Sequence, residues 1–172
     1  MPRSNRYTTI KYCAYALLLL GAFVLQNARG TAITLWGATA DLLPFLVASV
    51  ALLEGPYVGG TVGFFAGLLQ SVHSIMVEGI SALSLMLLGA LFGWLSLRHL
   101  RPVLPSALLG GGVWLLLQGI SRYVFYYALV YGVDPASGLR TVIAPLALSL
   151  IPGAVLFWAT RAIFRRFTET DI

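Results

Sequence analysis

The stretch Gly55-Pro56-Tyr57-Val58-Gly59-Gly60-Thr61-Val62-Gly63-Phe64-Phe65-Ala66-Gly67-Leu68-Leu69-Gln70 carries no charge and places a glycine at every fourth position. At 3.6 residues per turn, Gly55, Gly59, Gly63 and Gly67 form one ridge that drifts slowly around a helix. A ridge without side chains lets a second helix backbone approach closely, which is how helices associate in lipid. A following apolar segment offers a matching pair, Gly89 and Gly93. Two readings stand open for the six glycines: close packing within the chain, or a seam that receives the helix of a partner.

The surroundings of this stretch make lipid the expected solvent. The chain has 172 residues, 59% of them hydrophobic and 10% charged. Soluble domains are about a quarter charged. Apolar residues come in blocks of about 20 separated by short polar breaks, the pattern of spanning helices. Six segments follow: 12–26, 35–53, 56–72, 80–97, 103–130 and 142–164. The first is preceded by Arg3, Arg6 and Lys11 but lacks the small residue a signal-peptidase site needs, so it is expected to remain as a helix. The fold expected is all-α: one integral membrane bundle of six transmembrane helices spanning residues 1–172.

Orientation follows from Lys and Arg. With a cytoplasmic amino terminus, the inner side carries Arg3, Arg6, Lys11, Arg98, Arg101, Arg161, Arg165 and Arg166, and the outer loops carry Arg29 and Arg140. Both termini are thus expected in the cytoplasm. The net charge of +5 is spread singly or in pairs at block ends, so it marks topology and no nucleic acid is expected as a partner. Trp36, Tyr126, Tyr127 and Tyr131 would lie at outer helix ends, and Trp94 and Trp158 near inner ends, as interfacial rings do. Trp114, in mid-helix, is expected to fill a helix face. Pro44, Pro145 and Pro152 interrupt apolar helices and tend to kink them. The run Gly110-Gly111-Gly112 invites close contact or local bending.

Signatures of catalysis are missing. There is no His-Glu-x-x-His, no Gly-x-Ser-x-Gly and no glycine-rich loop ending in Lys. His73 and His99 would fall on opposite membrane faces, so no shared metal is expected, and the single Cys13 excludes an intrachain disulfide. No cofactor and no enzymatic activity are expected. The lead that remains is charge within apolar segments. Asp41, six residues into the second segment, and Arg122, late in the fifth, reach similar depths at about 1.5 Å per residue. They are expected either to pair inside the bundle or to reach the outer interface separately. Gln118, one turn before Arg122, could join Asp41 and Gln70 in a polar cavity or in interhelical hydrogen bonds. Glu54 and Glu78 fall in short loops and are expected to be solvated.

The order of these features resembles the rod-shape-determining MreD family. Leu25-Gln26, then Gly37-Ala38-Thr39-Ala40-Asp41-Leu42-Leu43, is similar to that family's entry into its second helix, with Ala40 where proline is usual. Ala51-Leu52-Leu53-Glu54-Gly55-Pro56 resembles its Ala-Leu-Arg-x-Gly-Pro turn, and Gly63 to Gln70 its Gly-Phe-x-x-Gly-Leu-Leu core. Ser71 stands where the family usually has Asp, so that residue's role is not carried over. Gly79 to Leu83 and Leu88 to Gly93, followed by basic residues, extend the similarity from about Leu25 to Arg101.

The resemblance implies a membrane scaffold of the bacterial cell-wall elongation machinery that maintains rod shape, in the inner membrane. Implied partners are an MreC-like single-pass membrane protein and, through it, the MreB filament and the peptidoglycan elongation synthase, with membrane lipid around the bundle. It also implies a fold similar to the six-helix substrate-binding subunit of energy-coupling-factor (ECF) transporters. A vitamin-binding subunit is therefore the alternative expectation. The outer loops hold few converging polar groups (Tyr131, Asp134 and Arg140), which favours the scaffold.

Overall fold

The structure, a computed structural model, describes residues 3–27, 34–35, 38–72, 80–98, 101–122 and 135–168. Among these described residues six helices form: α1 (Arg3–Asn27), α2 (Leu43–Glu54), α3 (Pro56–Ser71), α4 (Ile80–Arg98), α5 (Leu104–Arg122) and α6 (Pro135–Thr168). Two strands of two residues, β1 (Thr34–Leu35) and β2 (Ala38–Thr39), pair antiparallel between α1 and α2. Four helices, α1, α4, α5 and α6, contain stretches long and apolar enough to cross a membrane.

The second segment differs from expectation. The helix starts at Leu43, after the paired strands β1 and β2, and α2 has 12 residues. That is about 18 Å of helix, well short of a hydrocarbon core of about 30 Å. α2 is apolar on every side, and every residue from Leu43 to Leu52 is buried. A helix apolar all round belongs in an interior. α1, α3, α4, α5 and α6 all pack around it. Pro44, expected to interrupt this helix, sits in its first turn, where no intrahelical donor is lost.

Gly55 ends α2 and begins α3. Its φ of 88° and ψ of −171° lie in a region open almost only to glycine, and this single residue reverses the chain. The two helices then diverge as a tight hairpin in which a Cβ on Gly59 would stand 2.6 Å from Ala51 Cβ. α6 runs longer than the sixth segment and continues through Pro145 and Pro152. The core follows from this layout. Leu19, Leu43, Leu46, Val47, Ala66 and Leu85 form one buried cluster drawn from α1, α2, α3 and α4. At the far end of α2, Leu52 meets Ala107 of α5 and Phe157 of α6.

Phe45 shows how the glycines serve this core. Its ring is buried and lies against Gly111 of α5 and Gly153 of α6, where a Cβ on Gly153 would come 2.8 Å from the ring. Gly110 receives the ring of Phe92 from α4 in the same way. Gly110 and Gly111 are therefore notches for aromatic rings, while Gly112 has only an ordinary contact with Leu146 of α6.

Candidate functional site

Three constellations bring the chemistry-bearing residues together. The first is the glycine seam. α3 and α4 run antiparallel, so Gly55 meets Gly93, Gly59 meets Gly89, Gly63 meets Leu85 and Met86, and Gly67 meets Ser81 and Ala82. A Cβ on Gly93 would lie 2.6 Å from Pro56 N, and one on Gly59 would lie 2.8 Å from the Gly89 carbonyl oxygen. These contacts are with backbone, which cannot swing aside. The ridge of Gly55, Gly59, Gly63 and Gly67, with Gly89 and Gly93, is filled by the chain's own α4. Of the two readings of the six glycines, packing within the chain describes their contacts.

The second constellation surrounds the amino-terminal end of α2. Asp41 is not inside a helix, as expected, but one residue before the N-cap Leu42. A helix start leaves its first backbone N–H groups without intrahelical partners, and water is scarce in a bundle interior. Here neighbours supply acceptors. The backbone N–H of Leu42 donates to Gln26 Oε1 of α1 at 3.0 Å, and that of Asp41 donates to Ser149 Oγ of α6 at 2.9 Å. Ser149 in turn donates to the Pro145 carbonyl at 2.7 Å. Gln70 of α3 donates through Nε2 to Asp41 Oδ2 at 2.7 Å. Four elements are thus tied into one polar knot.

The expected pairing of Asp41 with Arg122 falls on a side chain outside the described residues. What the described residues show is that Asp41 takes Gln70 as a partner. Gln118 and Trp114 lie on α5, where Gln118 Oε1 and Trp114 Nε1 are buried without a hydrogen-bond partner among the described residues.

The third constellation closes the other end of α2 and corrects the expectation for Glu54. Its carboxylate is not solvated: Oε1 accepts from Lys11 Nζ at 2.6 Å and from the Tyr15 hydroxyl at 2.7 Å, with side-chain exposures of 17% for Lys11 and 9% for Glu54. The Lys11 ammonium also lies 4.9 Å from the centre of the Phe164 ring of α6, at cation–π range. Nearby, Ser96 of α4 donates to the Leu52 carbonyl at 2.9 Å, taking up one of the carbonyls the end of α2 leaves open.

Along the helix ends, Arg98 stacks on Trp94 at 5.4 Å and Arg161 on Trp158 at 5.8 Å. All four share the Lys11–Glu54 end, and Trp94 and Trp158 are largely exposed, as rings at a membrane interface are. Trp36, His73, Glu78, His99, Tyr126, Tyr127, Tyr131, Asp134 and Arg29 lie outside the described residues, as does the side chain of Arg140.

Sequence reasoning missed Gln26, Ser149 and the Lys11–Tyr15–Glu54 cluster as partners of α2. The Asp41–Ser149 contact joins residues 108 apart, and no local spacing announces it. Compared with known proteins, the chain matches no family model, no curated protein and no solved structure.

Proposed function

We propose that this chain is an MreD-like, non-enzymatic membrane scaffold that takes part in maintaining rod cell shape through contact with a partner's transmembrane helix. One observation carries the reading. Within the stretches in which the sequence resembles MreD, Gln26, Asp41, Gly55-Pro56, Gly63, Ala66, Gly67, Gln70, Gly89 and Gly93 make contacts between the elements of the bundle. They cap α2, turn the chain at Gly55 and close α3 on α4. The shared features thus act as one architectural unit.

In this reading the bundle sits in the bacterial inner membrane with both termini in the cytoplasm, and α2 with its hairpin approach and α3 count among six crossings. Because α4 fills the glycine ridge, the partner helix meets the bundle on a lipid-facing surface outside that ridge. An MreC-like single-pass protein is the direct partner. The MreB filament and the elongation synthase connect through it.

The alternative, a vitamin-binding subunit of an ECF transporter, draws support from the polar knot at the amino-terminal end of α2. A crosslinked pull-down of the tagged protein from its native membrane, read by mass spectrometry, separates the two. Recovery of an MreC-like protein with wall synthases is the expected outcome. Recovery of paired ATPases with a large transmembrane coupling subunit would overturn it.

A further inference from the structure

Two exposed stripes of the bundle end in the same pair of residues, a tryptophan followed one turn later by an arginine. On α4, Leu83, Leu87, Leu91, Trp94 and Arg98 fall within one helical face, and each is exposed. On α6, Ile151, Val155 and Trp158 form a similar exposed face, with Arg161 at its flank. The Arg98 guanidinium lies 5.4 Å from the centre of the Trp94 ring, and that of Arg161 lies 5.8 Å from the Trp158 ring. The rings themselves are 52% and 60% exposed.

The dimensions match one leaflet of a bilayer. Leu83 lies about 16 Å from Trp94 along α4, close to half of a hydrocarbon core of about 30 Å. Arg98 lies about 6 Å further, at the level of headgroup phosphates. A guanidinium stacked on a ring gives up one face and keeps its N–H edges, which match a phosphate with two parallel hydrogen bonds. Charge then selects an anionic lipid. Lys11, Arg98, Arg101, Arg161, Arg165 and Arg166 stand at this end, where Glu54 is the one acid among the described residues and is already bound to Lys11. An acidic protein segment would meet the same charge but would leave the apolar stripe beside each arginine uncovered.

We propose that each Trp–Arg pair is a contact site for the phosphate of an anionic phospholipid, with an acyl chain of that lipid lying along the stripe. The ring takes the glycerol level and the arginine the phosphate. The sites require a membrane around the bundle and do not depend on which partner it holds.

Tryptophan quenching by brominated lipids tests this on the full chain reconstituted in phosphatidylcholine vesicles. The same small mole fraction of brominated phosphatidylglycerol or of brominated phosphatidylcholine is added in parallel. A bundle without preference is quenched equally by both. Attraction to the arginines is expected to enrich phosphatidylglycerol about three- to five-fold around the rings, so that it quenches more strongly. Arg98→Gln combined with Arg161→Gln is expected to bring the two quenching curves together. Arg101 makes no ring contact among the described residues, and Arg101→Gln is expected to leave most of the difference. Equal quenching of the wild type would overturn the proposal and leave the arginines to an acidic protein segment. A difference that the double variant retains, or that Arg101→Gln removes as fully, would assign it to diffuse charge and overturn the two sites. Absence of quenching by either lipid would overturn them as well, because both rings would then lie outside lipid.

Discussion

Glu54 is held by groups from two directions, an ammonium and a phenol, both on α1. An ion pair this enclosed is screened little by salt, and losing one member strands the other in a poorly solvating place. Glu54→Leu is expected to destabilise the fold by about 3 kcal/mol. The double change Lys11→Leu with Glu54→Leu is expected to recover most of that loss, because no charge remains to be stranded. Denaturation of the three proteins in one detergent checks this, and equal losses in the single and double variants would contradict it.

At Asp41, Gln70 donates to Oδ2. Asp41→Ala is expected to cost about 1–3 kcal/mol by leaving the Gln70 donor without this acceptor, which thermal unfolding measures. Gly55 presents a different constraint. A Cβ there has open space, so any cost of Gly55→Ala comes from its φ of 88°. About 1–3 kcal/mol is expected.

Among the elements, α3 and α4 show why glycine position matters more than glycine content. A Cβ on Gly63 would run into the Leu85 carbonyl and lie 3.1 Å from Met86 Cα. On Gly21 of α1 it would meet nothing within 4 Å. Gly63→Ala must force two backbones apart and is expected to cost more than about 2 kcal/mol. Gly21→Ala removes a flexible residue from a helix interior and is expected to be neutral or to stabilise by up to about 1 kcal/mol. Thermal unfolding of the two variants side by side measures the contrast, and similar effects at both sites would contradict the seam.

The four-residue spacing of these glycines was legible as a close-contact ridge, but not which helix fills it, since Gly89 and Gly93 offered one match and a partner's helix another. α2 was legible as apolar but not as short. The helix could have started anywhere from Leu35 onward by hydropathy. Its start at Leu43 goes with a hairpin before it and with side chains from α1 and α6 that take its open N–H groups.

At the scale of the whole molecule, one buried helix organises the bundle. α2 is fastened at its start by Gln26, Gln70 and Ser149 and near its end by Lys11, Tyr15 and Ser96. The polar ties join α2 or its approach to α1, α3, α4 and α6, and α5 contributes notches for rings. Reporter fusions at residues 1 and 172 are expected to give the same cytoplasmic response, and opposite responses would refute an even number of crossings.

Composition and block length by themselves determined that the chain is helical, with stretches long and apolar enough to cross a membrane, because hydrocarbon leaves a helix as the one local way to satisfy a spanning backbone. The spacing of Gly55, Gly59, Gly63 and Gly67 determined that two backbones would touch there, because helical periodicity is a local property. Tertiary structure alone decided that α4 is the helix that touches, that Glu54 is an ion-pair partner and that Asp41 is tied to Gln70. Those outcomes depend on which distant segments come together around α2, and contacts between residues 29, 39 and 108 positions apart leave no periodic trace in the chain.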